Sequence, residues 1–262
     1  MISTKRALAL LLSLILSHTA SYSKDGSVTN PKQSLDAALR EYREYLVASP
    51  PKTGRFESDI QKVLAADRAN PPGHGRILFI GSSVFRRWTN VVEQMAPLPV
   101  FNRAFGGSRT SDILERLDQL VLPYEPKVIV YYAGSNDINA KAPAAAAFGG
   151  FYDFEQRVHA KLPETRILYV AIDSSPQKQE KGYAEVVSAA NALVREYCST
   201  NPKLTFIDAS SATHDAEGHA RVELYCEDKL HPLPATYDGF AAIIKPVLEK
   251  VWAEVNAAKL SP

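Results

Sequence analysis

Apolar positions run along this chain in two alternating rhythms. Short, nearly continuous runs occupy 76–81 (RILFIG), 99–102, 127–133 (KVIVYYA), 166–172 (RILYVAI) and 204–208 (LTFID). Their β-branched and aromatic content predicts strands buried on both faces, as in a parallel sheet. Helical spacing fills the intervals at about 85–95, 111–121, 146–162 and 183–199, with a last helix over about 240–255. Upstream, Leu35, Ala38, Leu39, Tyr42, Tyr45 and Leu46 share one face of a helix for which Ser34 is the expected cap. A second helix is expected over 56–69, stopped by Pro71 and Pro72. Strand and helix signals in alternation predict a single three-layer α/β domain over 34–262, preceded by a polar linker at 24–33.

The chain has 262 residues, enough for one large buried core, and a formal charge of +1, which gives no electrostatic reason to expect nucleic acid. Its first 23 residues read as a secretion signal: a basic head at Lys5 and Arg6, an apolar run over 7–16, and a small polar tail over 17–23. That run is about half the length a spanning helix needs, and no Cys follows it to carry a lipid. The expectation is therefore a secreted or periplasmic protein with no stable membrane anchor after cleavage near Ala20 or Ser23. Loss of residues 1–20 removes Lys5 and Arg6 and leaves the mature chain near −1. The two cysteines, Cys198 and Cys226, either remain as two thiols or pair in an oxidising compartment. Pairing would close a loop of about 28 residues and add roughly 3–4 kcal/mol in the chain-entropy model.

Candidate chemistry lies in four blocks: Gly81-Ser82-Ser83, 102–107, Gly134-Ser135-Asn136-Asp137 and Asp228-Lys229-Leu230-His231. The first three follow predicted strands, and the last precedes the final helix. Ligands of open parallel sheets bind beyond the carboxyl ends of the strands, so the blocks share one edge. Ser83, where a strand turns into a helix, would offer an exposed hydroxyl as nucleophile and a backbone N–H at a helix start. Gly107 would bring its N–H close because no side chain intervenes, and Asn136 would add a side-chain amide. These three make an oxyanion hole. His231 would take and return the Ser83 proton, while Asp228, three residues earlier, would fix the ring's tautomer.

Taken singly, each block is an ordinary turn; the ordered set at successive strand ends is what carries the reading. Gly-x-Ser-x-Gly is absent, so the nucleophile elbow of the α/β-hydrolases is not supported. His214 and His219 sit in a polar stretch without zinc-ligand spacing, and a surface loop is expected there, as for His74. Tyr131 and Tyr132 read as sheet packing. Arg86, Arg87 and Trp88 read chiefly as surface and core, and Ser108 and Arg109 as possible substrate neighbours.

These residues resemble the SGNH (GDSL-like) hydrolases, whose four name-giving positions match Ser83, Gly107, Asn136 and His231, with Asp228 completing the triad. Phe79-Ile80-Gly81-Ser82-Ser83 with Arg86 and Trp88, followed by Asn102-Arg103-Ala104-Phe105-Gly106-Gly107-Ser108, look like a bacterial lysophospholipase-like and acetylhydrolase-like branch, over about 56–256. The resemblance implies a flavodoxin-like αβα sandwich with five parallel strands. Ser82 stands where Asp is usual, Ala104 where Gly is common, and the 231–239 stretch (HPLPATYDG) is longer than usual. The expected activity is cofactor-independent hydrolysis of a small ester, lipid-like or an acetylated sugar, with no metal and no nucleic acid. The competing expectation is a non-catalytic envelope or glycan-binding protein on the same fold.

Overall fold

Five strands, β1 (Ile77–Gly81), β2 (Val100–Asn102), β3 (Val128–Tyr132), β4 (Arg166–Val170) and β5 (Leu204–Ile207), pair in parallel in a computed structural model that describes residues 31–257. Their order is β2-β1-β3-β4-β5. Ile77 aligns with both Val100 and Val128, and Gly81 with Tyr132. The chain leaves β1 to one side for β2 and returns on the other as β3, so the topological switch lies between β1 and β3.

Successive strand residues point to opposite faces, and the core divides accordingly. Leu78, Ile80, Ile129, Tyr131, Ile167 and Tyr169 face one layer of helices, which includes α1 (Pro31–Ala48), α2 (Glu57–Ala69), α5 (Thr110–Glu115), α8 (Ala144–His159) and α10 (Ala184–Ser199). Ile77, Phe79, Val128, Val130, Tyr132, Leu168 and Val170 face the other, made by α3 (Ser83–Arg87), α4 (Val91–Met95) and α11 (Tyr237–Ala257). This is the three-layer αβα sandwich expected from the sequence. Tyr131 and Tyr132 pack in the sheet on opposite faces, as expected.

Local departures have local causes. Pro31–Gln33, read as linker, already belong to α1, and Ser34 lies inside that helix. The helix expected over 85–95 breaks at Trp88. The Trp88 indole stacks on Tyr237 at 5.3 Å and donates to Gln94 at 2.5 Å, and burial of so large a side chain outweighs the lost helical turn. The helix expected over 111–121 breaks at Arg116 into α5 and α6 (Leu117–Leu120). Arg116 is buried and spends its guanidinium on Glu57 and the Arg55 carbonyl. Two one-turn helices, α7 (Ser135–Asn139) and α9 (Pro176–Glu180), have too few residues to show a periodicity.

Among the described residues no helix is long and apolar enough to cross a membrane; the expected signal at 1–23 lies outside them. Both cysteines are free. Cys198 is buried on α10, and that burial pushes its thiol up to about 12, whereas Cys226 sits in the chain leading to His231.

Candidate active site

Gly81 ends β1 with its backbone against β3: a Cβ there would lie 2.2 Å from the Tyr132 carbonyl oxygen, so only glycine fits. Ser82 donates its amide to that carbonyl (3.0 Å) and buries its side chain. The chain then turns directly into α3, which places Ser83 at the first position of the helix. The partly exposed Ser83 hydroxyl lies 2.8 Å from His231 Nε2. His231 Nδ1 lies 2.6 Å from Asp228 Oδ2, and Asp228 Oδ1 accepts the Leu230 and His231 amides, each at 3.0 Å. Partial burial works against the Asp228 carboxylate, but its bonds from His231 and these amides bring its pKa down to about 2. An ionised carboxylate only accepts. Nδ1 therefore carries the proton, and Nε2 is left to accept from Ser83.

The loop after β2 is tied to α3. Asn102 donates from its amide to the Phe85 carbonyl (2.8 Å) and accepts from the Ala104 amide (2.9 Å). Gly107 has φ 80, a conformation that favours glycine, and is exposed. No acceptor among the described residues takes the backbone amide hydrogen of Ser83 or Gly107. Asn136 stands in the first turn of α7, after β3, and gives one amide hydrogen to the Ser108 carbonyl (3.0 Å). That bond fixes the amide plane and leaves its second hydrogen available. Asp137 anchors the same turn by accepting the Thr110 hydroxyl (2.8 Å) and amide (3.1 Å) at the start of α5. Burial raises the Asp137 carboxyl to about 6, against the Thr110 bonds.

Ser83, Gly107, Asn136, Asp228 and His231 thus converge on the β1–β3 edge from four separate segments. Of the other readings, those for Ser108 and His214 change, and those for Arg86 and Arg87 as surface residues hold. Ser108 is fully buried and shares its hydroxyl between the Phe105 (2.9 Å) and Gly81 (3.2 Å) carbonyls, out of reach of a substrate. Arg86 is exposed and lies across Gly106, while Arg87 is exposed near Cys226. His214 is not a solvated loop histidine: its side chain is 7% exposed, with Nδ1 3.7 Å from Asp173. His219 and His74 are exposed, as expected.

The residue that sequence reasoning misses is Lys178. Lysine is almost never fully buried, and nothing in the stretch around it signals otherwise. It is fully enclosed on α9 and donates from Nζ to the Ser135 carbonyl (3.0 Å) and Asn139 Oδ1 (2.9 Å), which braces the helix that carries Asn136. The next residue back, Gln177, donates its amide to the Lys229 carbonyl (2.9 Å), inside the Asp228–His231 segment. Burial lowers the Lys178 ammonium to about 8, with Asp173 opposing. A base whose pKa falls on folding destabilises the fold while charged. Stability attributable to Lys178 should accordingly rise as pH goes from about 8 to about 10.5. Lys178→Met should abolish that rise in denaturant titrations. An identical pH slope in both proteins would contradict this.

A parallel αβα sandwich with hydroxyl, imidazole and carboxylate in series at its switch point is the architecture of the SGNH hydrolases. The family model for GDSL-like lipases and acylhydrolases matches residues 73–238: the chain belongs to that family and is a hydrolase of ester bonds. A GDSL-like lipase from Bacteroides thetaiotaomicron shares the fold at TM-score 0.63 and 20% identity, covering 73% of this chain and 98% of its own. A carbohydrate esterase family 3 protein from Talaromyces cellulolyticus is similar at TM-score 0.54 and 15% identity, over 69% of this chain and 99% of its own. An acetyl-xylooligosaccharide esterase from Geobacillus is similar at TM-score 0.53 and 14% identity, over 66% of this chain and 93% of its own. No curated protein sequence matches the chain.

Proposed function

We propose that this esterase works through a Ser83–His231–Asp228 triad, with the Ser83 and Gly107 amides and the Asn136 side chain as its oxyanion hole. The observation that carries the reading is the hydrogen-bond chain from Ser83 Oγ through His231 to Asp228, at 2.8 and 2.6 Å. Ser83 Oγ attacks the ester carbonyl as its proton passes to His231 Nε2, and the carbonyl oxygen becomes an oxyanion facing the three donors. Collapse expels the alcohol, which takes the proton from Nε2. Water then gives a proton to the same nitrogen and attacks the acyl-enzyme; collapse breaks the Ser83–acyl bond, releases the acid, and returns the Nε2 proton to Ser83 Oγ. Asp228 stays ionised and stabilises the imidazolium in both halves.

The substrates proposed are small or medium carboxylic esters, O-acetylated carbohydrates or lysophospholipids among them. The names of the Talaromyces and Geobacillus proteins support the carbohydrate side. Export through the 1–23 signal is part of the same proposal. Hydrolysis of p-nitrophenyl esters from acetyl to decanoyl, with fluorophosphonate labelling, tests it. Labelling at Ser83 with turnover supports the esterase; no labelling and no turnover would favour a binding protein on this fold. Asn136→Ala should lower kcat about 10²–10³-fold if its free amide hydrogen faces the oxyanion. A wild-type rate would remove it from the hole.

A further inference from the structure

Phe56, at the entry to α2, has φ 67 and ψ 8, a left-handed conformation that bulky residues avoid. Several contacts hold it there. Its carbonyl accepts the Ile60 amide at 2.9 Å, and its ring meets Phe105 edge-on at 5.2 Å. The Arg55 guanidinium lies 4.8 Å over the ring and is itself bonded to buried Asp112 at 2.9 Å. Two residues before Phe56, the Gly54 amide donates to Glu115 at 2.9 Å. Yet the ring remains only half-buried, so enclosure in the core does not account for so firm a hold on an unfavourable backbone. Strain that the surroundings enforce is found where a site needs it.

The ring stands beside the oxyanion glycine. A Cβ added to Gly107 would find the Phe56 ring alone within 4 Å, at 3.8 Å to Cζ and 3.9 Å to Cε1. The two faces of the sheet decide which part of an ester lies there. His231 arrives on the chain that enters α11, and α11 covers the face packed with Phe79, Val130 and Tyr132. Phe56 packs against the core of the opposite face, the one to which Ile80 and Ile129 belong. The leaving oxygen must reach His231 Nε2 to be protonated, so the alcohol lies on the α11 side. The acyl group, held on the same tetrahedral carbon, points the other way, toward Phe56. Phe56 also precedes the stretch matched by the family model, 73–238.

Building on the serine-esterase reading above, we propose that Phe56 is the wall of the acyl site and sets acyl-length preference, favouring chains long enough to lie along its open side. With p-nitrophenyl esters, Phe56→Ala should lower kcat/KM for the hexanoate about 10-fold more than for the acetate, the effect of losing contact with one to two methylenes. Phe56→Leu should restore most of that selectivity. In a second series, acetates of progressively larger alcohols, Phe56→Ala should leave the order unchanged. Fluorophosphonate titration counts intact sites in each variant, and Phe56→Asn, which tolerates a left-handed backbone, replaces Phe56→Ala if the latter fails to fold. Equal loss across the acyl series, or a shift confined to the alcohol series, overturns the assignment while leaving the triad intact. Absence of Ser83-dependent hydrolysis in the wild type overturns the esterase reading and the assignment together.

Discussion

Ser83→Ala is expected to lose on the order of 10⁵–10⁶ in kcat on any ester the wild type hydrolyses, while its melting temperature stays within a degree or two of wild type. The magnitude follows from loss of the proposed nucleophile in a set of groups that would act as a unit. The stability follows from the environment: Ser83 is partly exposed and, among the described residues, its hydroxyl bonds to His231, itself only partly buried, so removing it orphans no fully buried group. The non-additivity is sharper still. Once Ser83 is gone, His231→Ala should cost almost nothing more, because a base with no proton to take contributes nothing. Turnover measured in the four corners of this cycle, with mass spectrometry after fluorophosphonate treatment, checks both points. Substantial activity in Ser83→Ala would move the nucleophile elsewhere, and additive losses would mean that the two side chains act separately.

The five strands were legible because each is a short apolar run buried on both faces, a pattern that needs no partner to be recognised. Their ends shifted by only a residue or two. The four blocks were legible for a related reason: the residue types are few, three of the blocks follow β1, β2 and β3 in turn, and the fourth stands shortly before α11. Other features depended on contacts distant in sequence. Trp88 leaves its helix to meet Tyr237, and Arg116 breaks another to reach Glu57 across the layer. Burial of Ser108 and His214 was hidden because Ser and His carry no mark of which loop will fold over them. Lys178 runs against the ordinary rule for lysine, and only the packed α9 shows that its ammonium braces the turn bearing Asn136. Phe56 was read as part of a helix; its left-handed backbone comes from the grip of Arg55, Phe105 and α5, which no local pattern encodes.

Asp228→Asn should cost about 10⁴ in kcat at neutral pH, and the direction of its hydrogen bonds gives the reason. Asp228 Oδ1 accepts two backbone amides, from Leu230 and His231. An asparagine at this position keeps those bonds only by placing its own carbonyl oxygen there, which turns its NH₂ toward His231 Nδ1. Nδ1 must then accept, the ring proton moves to Nε2, and the nitrogen facing Ser83 can no longer take a proton. The fold should survive, since the side chain is 42% exposed and the replacement is isosteric. Stability should still register the change with a definite sign. The Asp228 pKa falls on folding to about 2, so its ionised form contributes stability that is fully present above about pH 4 and is lost as pH falls toward 2. The gap between wild type and Asp228→Asn in denaturant titrations should close over that interval, by an amount that solvent screening keeps modest at so exposed a site. A gap that stayed open at pH 2 would mean that Asp228 stabilises the loop by packing rather than by charge. Near-wild-type turnover would show that the proton on His231 is placed by some other group.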